Sequence, residues 1–256
     1  MTELDLIIEL HRDTQRQGPG SLESTIKALH SVDLDTNASL RIADIGCGTG
    51  GHTLELARTF ESAQITAIDL FSVFLDGLNQ QAAKAGLGDR IRTLEAMMDD
   101  LPFEQESLDL IWSEGAVYNM GFKDGVAYWA QFLKPKGWLA VSEITWTTEE
   151  RPAELEEFWM AEYPEVALPS VKIRQLKEAG FEVVNYFMLP KSDWFHYYDE
   201  LSKKIEDFEG EFSRHQDADV QEMAAGIAEA YRAEINQYKQ FSDYYSYGFY
   251  IARKDS

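Results

Sequence analysis

Residues 40–51 read Leu-Arg-Ile-Ala-Asp-Ile-Gly-Cys-Gly-Thr-Gly-Gly, and they decide the fold. An apolar run carrying one acid, Asp44, breaks into Gly46, Gly48, Gly50 and Gly51. Residues 52–60, HTLELARTF, follow with helical composition and no breaker. The order is strand, tight glycine turn, helix. Glycine is needed where a ligand approaches the backbone closely and where a sharp turn takes positive φ. N–H groups at the start of the helix are then expected to face an anionic or polar ligand.

Two cofactor classes use such a turn. Gly46, Gly48 and Gly51 satisfy the GxGxxG of dinucleotide enzymes. Asp44, Gly46, Gly48 and Gly50 satisfy the acidic-x-GxGxG pattern associated with S-adenosylmethionine (SAM). Either class requires an acid at the end of the next strand, roughly 20 residues on, to hold ribose hydroxyls. Residues 64–69, QITAID, supply Asp69, with Leu70 beside it. Asp44 separates the two classes. A carboxylate at the mouth of the first strand suits the cationic amino group of methionine and would repel a pyrophosphate.

From this point the sequence resembles class I SAM-dependent methyltransferases. Leu101-Pro102-Phe103, then residues 108–112 (LDLIW), then residues 132–143 (FLKPKGWLAVSE) are similar to that family's later motifs in their usual order. The resemblance covers residues 40–143 and is nearest to the small-molecule branch that includes the ubiquinone and menaquinone methyltransferases. It implies an α/β fold: a Rossmann-like, doubly wound, seven-stranded, mostly parallel sheet with an antiparallel last strand. It also implies SAM as cofactor and S-adenosylhomocysteine as product. The cofactor residues it points to are Asp44, Gly46, Cys47, Gly48, Gly50, Asp69, Leu70, Met98, Asp99 and Glu114. One departure stands out. Many relatives place an aspartate five residues before the proline of LPF, against the adenine, whereas this chain has Met97 there. Met98 is left as an apolar flank and Asp99 as the side-chain acceptor for the adenine amino group.

Composition narrows the partners. The 256 residues carry 45 acids against 23 bases, a formal charge of −22, which repels phosphate backbones and argues against nucleic acid. No apolar run reaches the length of a membrane span. The N-terminus lacks the basic region of a signal peptide, and a single cysteine permits no internal disulfide, so a reducing cytoplasm is expected. Five scattered histidines and one cysteine offer no metal-ligand spacing.

Periodicity predicts a short helix over residues 3–12, a break at 16–20, and a helix from an N-cap at Ser21 to His30. Arg16 and Gln17 are candidates to reach the methionine end of a bound cofactor. Ser72 and Asp124 are read as N-caps of later helices. Between a sixth strand (181–187) and a seventh (244–252) the family normally has a short turn. Here two apolar stripes intervene, Trp194 to Phe212 and Val220 to Phe241, parted by Gly210 and residues 215–219. They predict an antiparallel helical pair. The chain is therefore divided into a SAM-binding domain, residues 1–192 and 242–256, with residues 1–35 over the cofactor, and a helical cap, residues 193–241. The pair is expected to close the acceptor pocket or to form a homodimer surface.

The loop leaving the fourth strand, residues 113–121, lies where ligands sit in parallel sheets. Glu114 and Tyr118 are its candidates for acceptor-side chemistry, with His196 from the helical pair. Methyl transfer from a sulfonium is an in-line displacement. Aligning nucleophile and methyl carbon supplies most of the catalysis, ~7–11 kcal/mol. The reading is thus an enzyme methylating a small molecule. The alternatives are a SAM-binding protein without turnover, and an NAD-dependent oxidoreductase.

Overall fold

The protein is described by a computed structural model over residues 1–255. One sheet holds seven strands: β1 Arg41–Ile45, β2 Gln64–Asp69, β3 Ile91–Glu95, β4 Leu108–Glu114, β5 Leu133–Trp146, β6 Phe181–Met188 and β7 Tyr245–Lys254. Their order is β3-β2-β1-β4-β5-β7-β6. Strands β1 to β5 are parallel, and β7 runs antiparallel to both β5 and β6. The winding reverses between β1 and β4, and the crevice at their carboxyl ends is where ligands bind in such sheets.

Among the described residues nine α-helices surround the sheet: α1 Glu3–His11, α2 Leu22–Leu29, α3 Gly51–Thr59, α4 Ser72–Lys84, α5 Phe122–Ala130, α6 Ala153–Glu162, α7 Pro169–Glu178, α8 Lys191–Phe212 and α9 Ala218–Phe241. Central parallel strands must be apolar on both faces because helices cover both. Accordingly α2, α3 and α4 pack one face through Leu29, Leu56, Leu75 and Leu78. Helices α5 and α7 pack the other through Val126, Trp129 and Leu176.

A third cluster joins α8 and α9 to α1 and to the ends of β5 and β7. Its members include Leu6, Leu10, Trp194, Leu201, Ile205, Phe208, Ile227, Ile235 and Tyr238. Each fully buried large apolar side chain is worth ~1.5–3 kcal/mol. Helix α8 therefore runs straight through Gly210, where a break had been expected. A helical glycine costs only ~1 kcal/mol, and Phe208 and Phe212, both 5% exposed, anchor the last turn. The chain reverses at residues 213–217 instead.

Two expected caps also differ. The N-cap of α4 is Phe71 and not Ser72, and that of α5 is Gly121, with Asp124 inside the first turn. Ser21 caps α2 as expected, its side chain accepting from the Ser24 N–H. No helix among the described residues is long and apolar enough to cross a membrane.

Candidate active site

The turn after β1 is held by its own N–H groups. Those of Gly46 and Cys47 donate to the Ile68 carbonyl, and that of Gly50 to the Cys47 carbonyl. The Gly48 N–H donates to Asp69 Oδ2 at 2.8 Å, and the Thr49 N–H to Gln17 Oε1 at 3.1 Å. The N–H groups of residues 46–50 are thus spent inside the protein, whereas α3 begins at Gly51, beside the cleft. What the turn offers is close approach. A Cβ at Gly46 would meet the Ala116 Cβ at 2.3 Å, and one at Gly48 would meet Gln17 Oε1 at 1.9 Å.

A cleft of about 350 Å³ opens beside the turn. Of the residues named from sequence, Gly46, Cys47, Gly48, Asp69, Leu70, Met98, Asp99, Glu114 and Tyr118 line it. Asp69 is half-buried, with Oδ2 on Gly48 and Oδ1 accepting from the Phe71 N–H at 3.0 Å. Burial pushes its carboxyl up, against the pull of those N–H groups. Each oxygen keeps a lone pair for a further donor. Phe74, Met97 and Met98 also line the cleft, apolar side chains suited to a flat ring. Cys47 is 2% exposed, and burial raises its thiol well above the ordinary range, so it is a poor nucleophile.

Four residues named from sequence stand elsewhere or do something else. Asp44 is fully buried and does not reach the cleft. Its oxygens accept from Thr53 Oγ1 at 2.6 Å and pair with His52 Nε2 at 3.0 Å. Burial opposes charge on His52, but Asp44 and Glu114 outweigh it and raise the imidazole's pKa. Asp44 is therefore an internal anchor for α3 and not the contact for an amino group. Gly50 packs under Leu78, away from the cleft. His196 is surface-exposed on α8, 3.4 Å from Glu200, on the far side of residues 15–20 from the cleft.

Glu114 lines the cleft but is fully engaged. Oε2 accepts from Arg16 Nη1 at 2.7 Å, and Oε1 from Thr25 Oγ1 and Trp112 Nε1, both at 2.9 Å. Burial would raise its carboxyl, yet Arg16 and His52 hold it below the usual range. A carboxylate so stabilised is a weak base. It ties the N-terminal segment down and moves no proton.

That segment is what sequence reasoning left least defined. Residues 15–19 form one wall of the cleft. Arg16 is fixed by Glu114 and by Thr25 Oγ1 at 2.8 Å. Gln17 donates to Thr49 Oγ1 at 3.1 Å, and Thr49 Oγ1 donates to the Thr14 carbonyl at 2.8 Å. The signal was the polar Arg16-Gln17 pair just before the Gly18-Pro19-Gly20 bend. Which partners the pair takes, Thr25, Thr49 and Glu114, no local pattern in residues 15–20 could tell.

The far end of the cleft is aromatic. Tyr118 sits on a single 3-10 turn, Val117–Asn119, 43% exposed, its ring edge-on to Tyr163 at 6.2 Å. The Tyr163 hydroxyl donates to Glu143 Oε1 at 2.7 Å, and Lys172 Nζ donates to the same oxygen at 3.0 Å. Glu143 and Lys172 are both fully buried, and the second oxygen of Glu143 has no partner. Burial raises the Glu143 carboxyl despite Lys172.

The comparisons with known proteins fit this geometry. Residues 42–137 match the family described as "Methyltransferase domain". The chain is 27% identical over 134 residues to a glycine/sarcosine/dimethylglycine N-methyltransferase of Actinopolyspora halophila, covering 52% of this chain and 23% of that protein. It is 25% identical over 233 residues to a 27-O-demethylrifamycin SV methyltransferase of Amycolatopsis mediterranei, covering 86% and 79%. A SAM-dependent methyltransferase from Geobacter sulfurreducens, solved with S-adenosylhomocysteine, superposes with a TM-score of 0.83 at 15% identity, over 98% of each chain. The likeness is to the class as a whole, one level coarser than the quinone-methylating branch suggested by the motifs. Residues 42–137 thus match a methyltransferase domain, and the chain as a whole has the fold of SAM-dependent methyltransferases.

Proposed function

We propose that the protein methylates a small molecule that enters the cleft on its Tyr118 side, mainly by aligning acceptor and donor. SAM, when bound, supplies an electrophilic methyl group on a sulfonium. The residues present fit such a cofactor: a glycine turn that tolerates contact at Gly46 and Gly48, a carboxylate with free lone pairs at Asp69, and the Met98 flank. Asp69 would hold the ribose hydroxyls, Met98 and Phe74 the adenine, and Asp99 its amino group. Residues 15–19, pinned by Gln17 and Arg16, would cover the methionine end and exclude water. Residues 193–241 would cap the acceptor.

The observation that carries the reading is the juxtaposition of Asp69 and the donor-exhausted glycine turn at one end with Tyr118 at the other end of one cleft. No side chain there is set up as a strong base. Burial raises the Tyr118 phenol, and Glu114 is committed to Arg16. Alignment is left as the main contribution, and it supplies ~7–11 kcal/mol in favourable cases. Incubating the purified protein with methyl-labelled SAM and a fractionated metabolite extract tests the proposal. Label in one small-molecule fraction is expected. If S-adenosylhomocysteine binds but label is transferred to nothing, a SAM-binding protein without turnover is the better description.

A further inference from the structure

The first turn of α3 opens beside the cleft without a cap. Its N-cap is Gly50, which has no side chain to accept a hydrogen bond. Among the described residues the N–H groups of Gly51, His52 and Thr53 have no acceptor, whereas those of residues 46–50 are all bonded within the protein. Free N–H groups and the dipole of a helix start favour a negative charge and disfavour a cation. An imidazole that the protein keeps charged in this turn is therefore a costly choice, and the structure shows how it is held.

The His52 side chain is 8% exposed and lines the cleft, while the cavity on the other side of residues 15–20 does not include it. Its Nε2 pairs with Asp44 Oδ1 at 3.0 Å, and Asp44 Oδ2 accepts from Thr53 Oγ1 at 2.6 Å. Asp44 is fully buried. Nδ1 of His52 has no partner in the protein, so the protonated ring keeps one N–H to give. Arg16 is the other side chain lining the cleft that can carry positive charge, and its two Nη groups are committed to Glu114 and Thr25. The charged groups facing His52 are Asp44 from β1, Glu114 from β4 and Arg16 from the segment before α2, and the two carboxylates outweigh burial and Arg16 to favour the charged ring.

Resting on the SAM reading above, we infer that His52, held in place by Asp44, receives the α-carboxylate of the cofactor's methionine end together with the free N–H groups of residues 51–53. Asp44 is a positioning residue: it occupies Nε2 and leaves Nδ1 as the ring's free donor. When the ring loses its proton, Nε2 keeps the hydrogen shared with Asp44 and Nδ1 turns from a donor into a lone pair, which repels a carboxylate. Cofactor affinity therefore falls as pH rises through the pKa of His52.

Two ligands isolate this contact: S-adenosylhomocysteine, which carries the carboxylate, and methylthioadenosine, which keeps adenine, ribose and sulfur but lacks the amino-acid end. Asp69 serves both, so its own titration cancels in the comparison. Calorimetric titrations of the parent from about pH 6 to about pH 8.5 bracket the imidazole. Affinity for S-adenosylhomocysteine is expected to fall ~10-fold or more across that range, and affinity for methylthioadenosine to change little. In Asp44→Asn the fall should move to lower pH. In His52→Gln it should vanish, with S-adenosylhomocysteine bound ~10-fold or more weakly at the acid end and methylthioadenosine bound as in the parent. Parallel pH profiles for the two ligands in the parent, or equal losses for both in folded His52→Gln, overturn the assignment and leave methyl transfer standing. Should the variants not fold, the parent's two profiles decide. Failure of both ligands to bind the parent overturns the SAM reading as well.

Discussion

The two ends of the cleft are built by different means. The donor end uses backbone: the turn between β1 and α3 ties its N–H groups to Ile68, Asp69, Gln17 and Cys47, all but one within or next to two adjacent strands. The Tyr118 end uses side chains from separate elements: Tyr118 after β4, Tyr163 after α6, and behind them Glu143 on β5 and Lys172 on α7. A site made of backbone needs particular residue types at fixed spacing. One made of side chains needs only that the fold bring them together.

The largest expected effect lies under the acceptor end. Lys172→Met leaves the Glu143 carboxylate buried with Tyr163 as its only donor. Removing one member of a buried pair typically costs ~3–5 kcal/mol. Chemical denaturation is expected to show that loss, and the double variant Lys172→Met with Glu143→Leu to recover much of it. If the single variant is as stable as the parent, the pair does not hold the Tyr163–Tyr118 wall in place.

This contrast explains what could be read in the sequence. The sheet, the glycine turn, Asp69 and the Tyr118 loop follow from local patterns, and the structure places them together in the cleft. Asp44 was misread because a motif gives spacing and not direction. Its side chain points into the α3 contact, where His52 and Thr53 take it up. His196 was named from an aromatic-rich stripe, but it lies on the outer face of α8 while Tyr197 turns inward. Lys172 left no signal at all, since it sits in an ordinary helical pattern and gains meaning only from Glu143, distant in the chain.

Tyr118 sharpens the comparison next. Phenylalanine keeps the ring that would flank a cation and drops the hydroxyl. Turnover is expected to persist in Tyr118→Phe and to fall in Tyr118→Ala, where the lost ring contact is worth ~0.5–2 kcal/mol. A fall of ~100-fold or more in Tyr118→Phe would instead assign the hydroxyl to proton transfer.

The donor end has a smaller, pH-dependent signature. The pKa of His52 is raised in the folded protein, so its pairing with Asp44 stabilises fully below the unfolded value of 6.5 and is lost as pH rises through the folded value. The denaturation midpoint of the parent is expected to decline through that window and that of His52→Gln to decline less. Identical profiles would remove the charge from this contact. The smallest effect concerns Cys47. Its buried thiol should alkylate slowly without ligand and more slowly with S-adenosylhomocysteine, as followed by mass spectrometry. Equal rates would place the ligand away from the turn.

The division of labour itself is tested most directly by one calorimetric series with S-adenosylhomocysteine, run on the parent, Asp69→Ala and Tyr118→Phe. Losing several hydrogen bonds to a charged group should cost Asp69→Ala ~2–4 kcal/mol of affinity, whereas Tyr118→Phe should bind like the parent. An unaltered affinity in folded Asp69→Ala, or an equal loss in Tyr118→Phe, would contradict the separation of the two ends of the cleft.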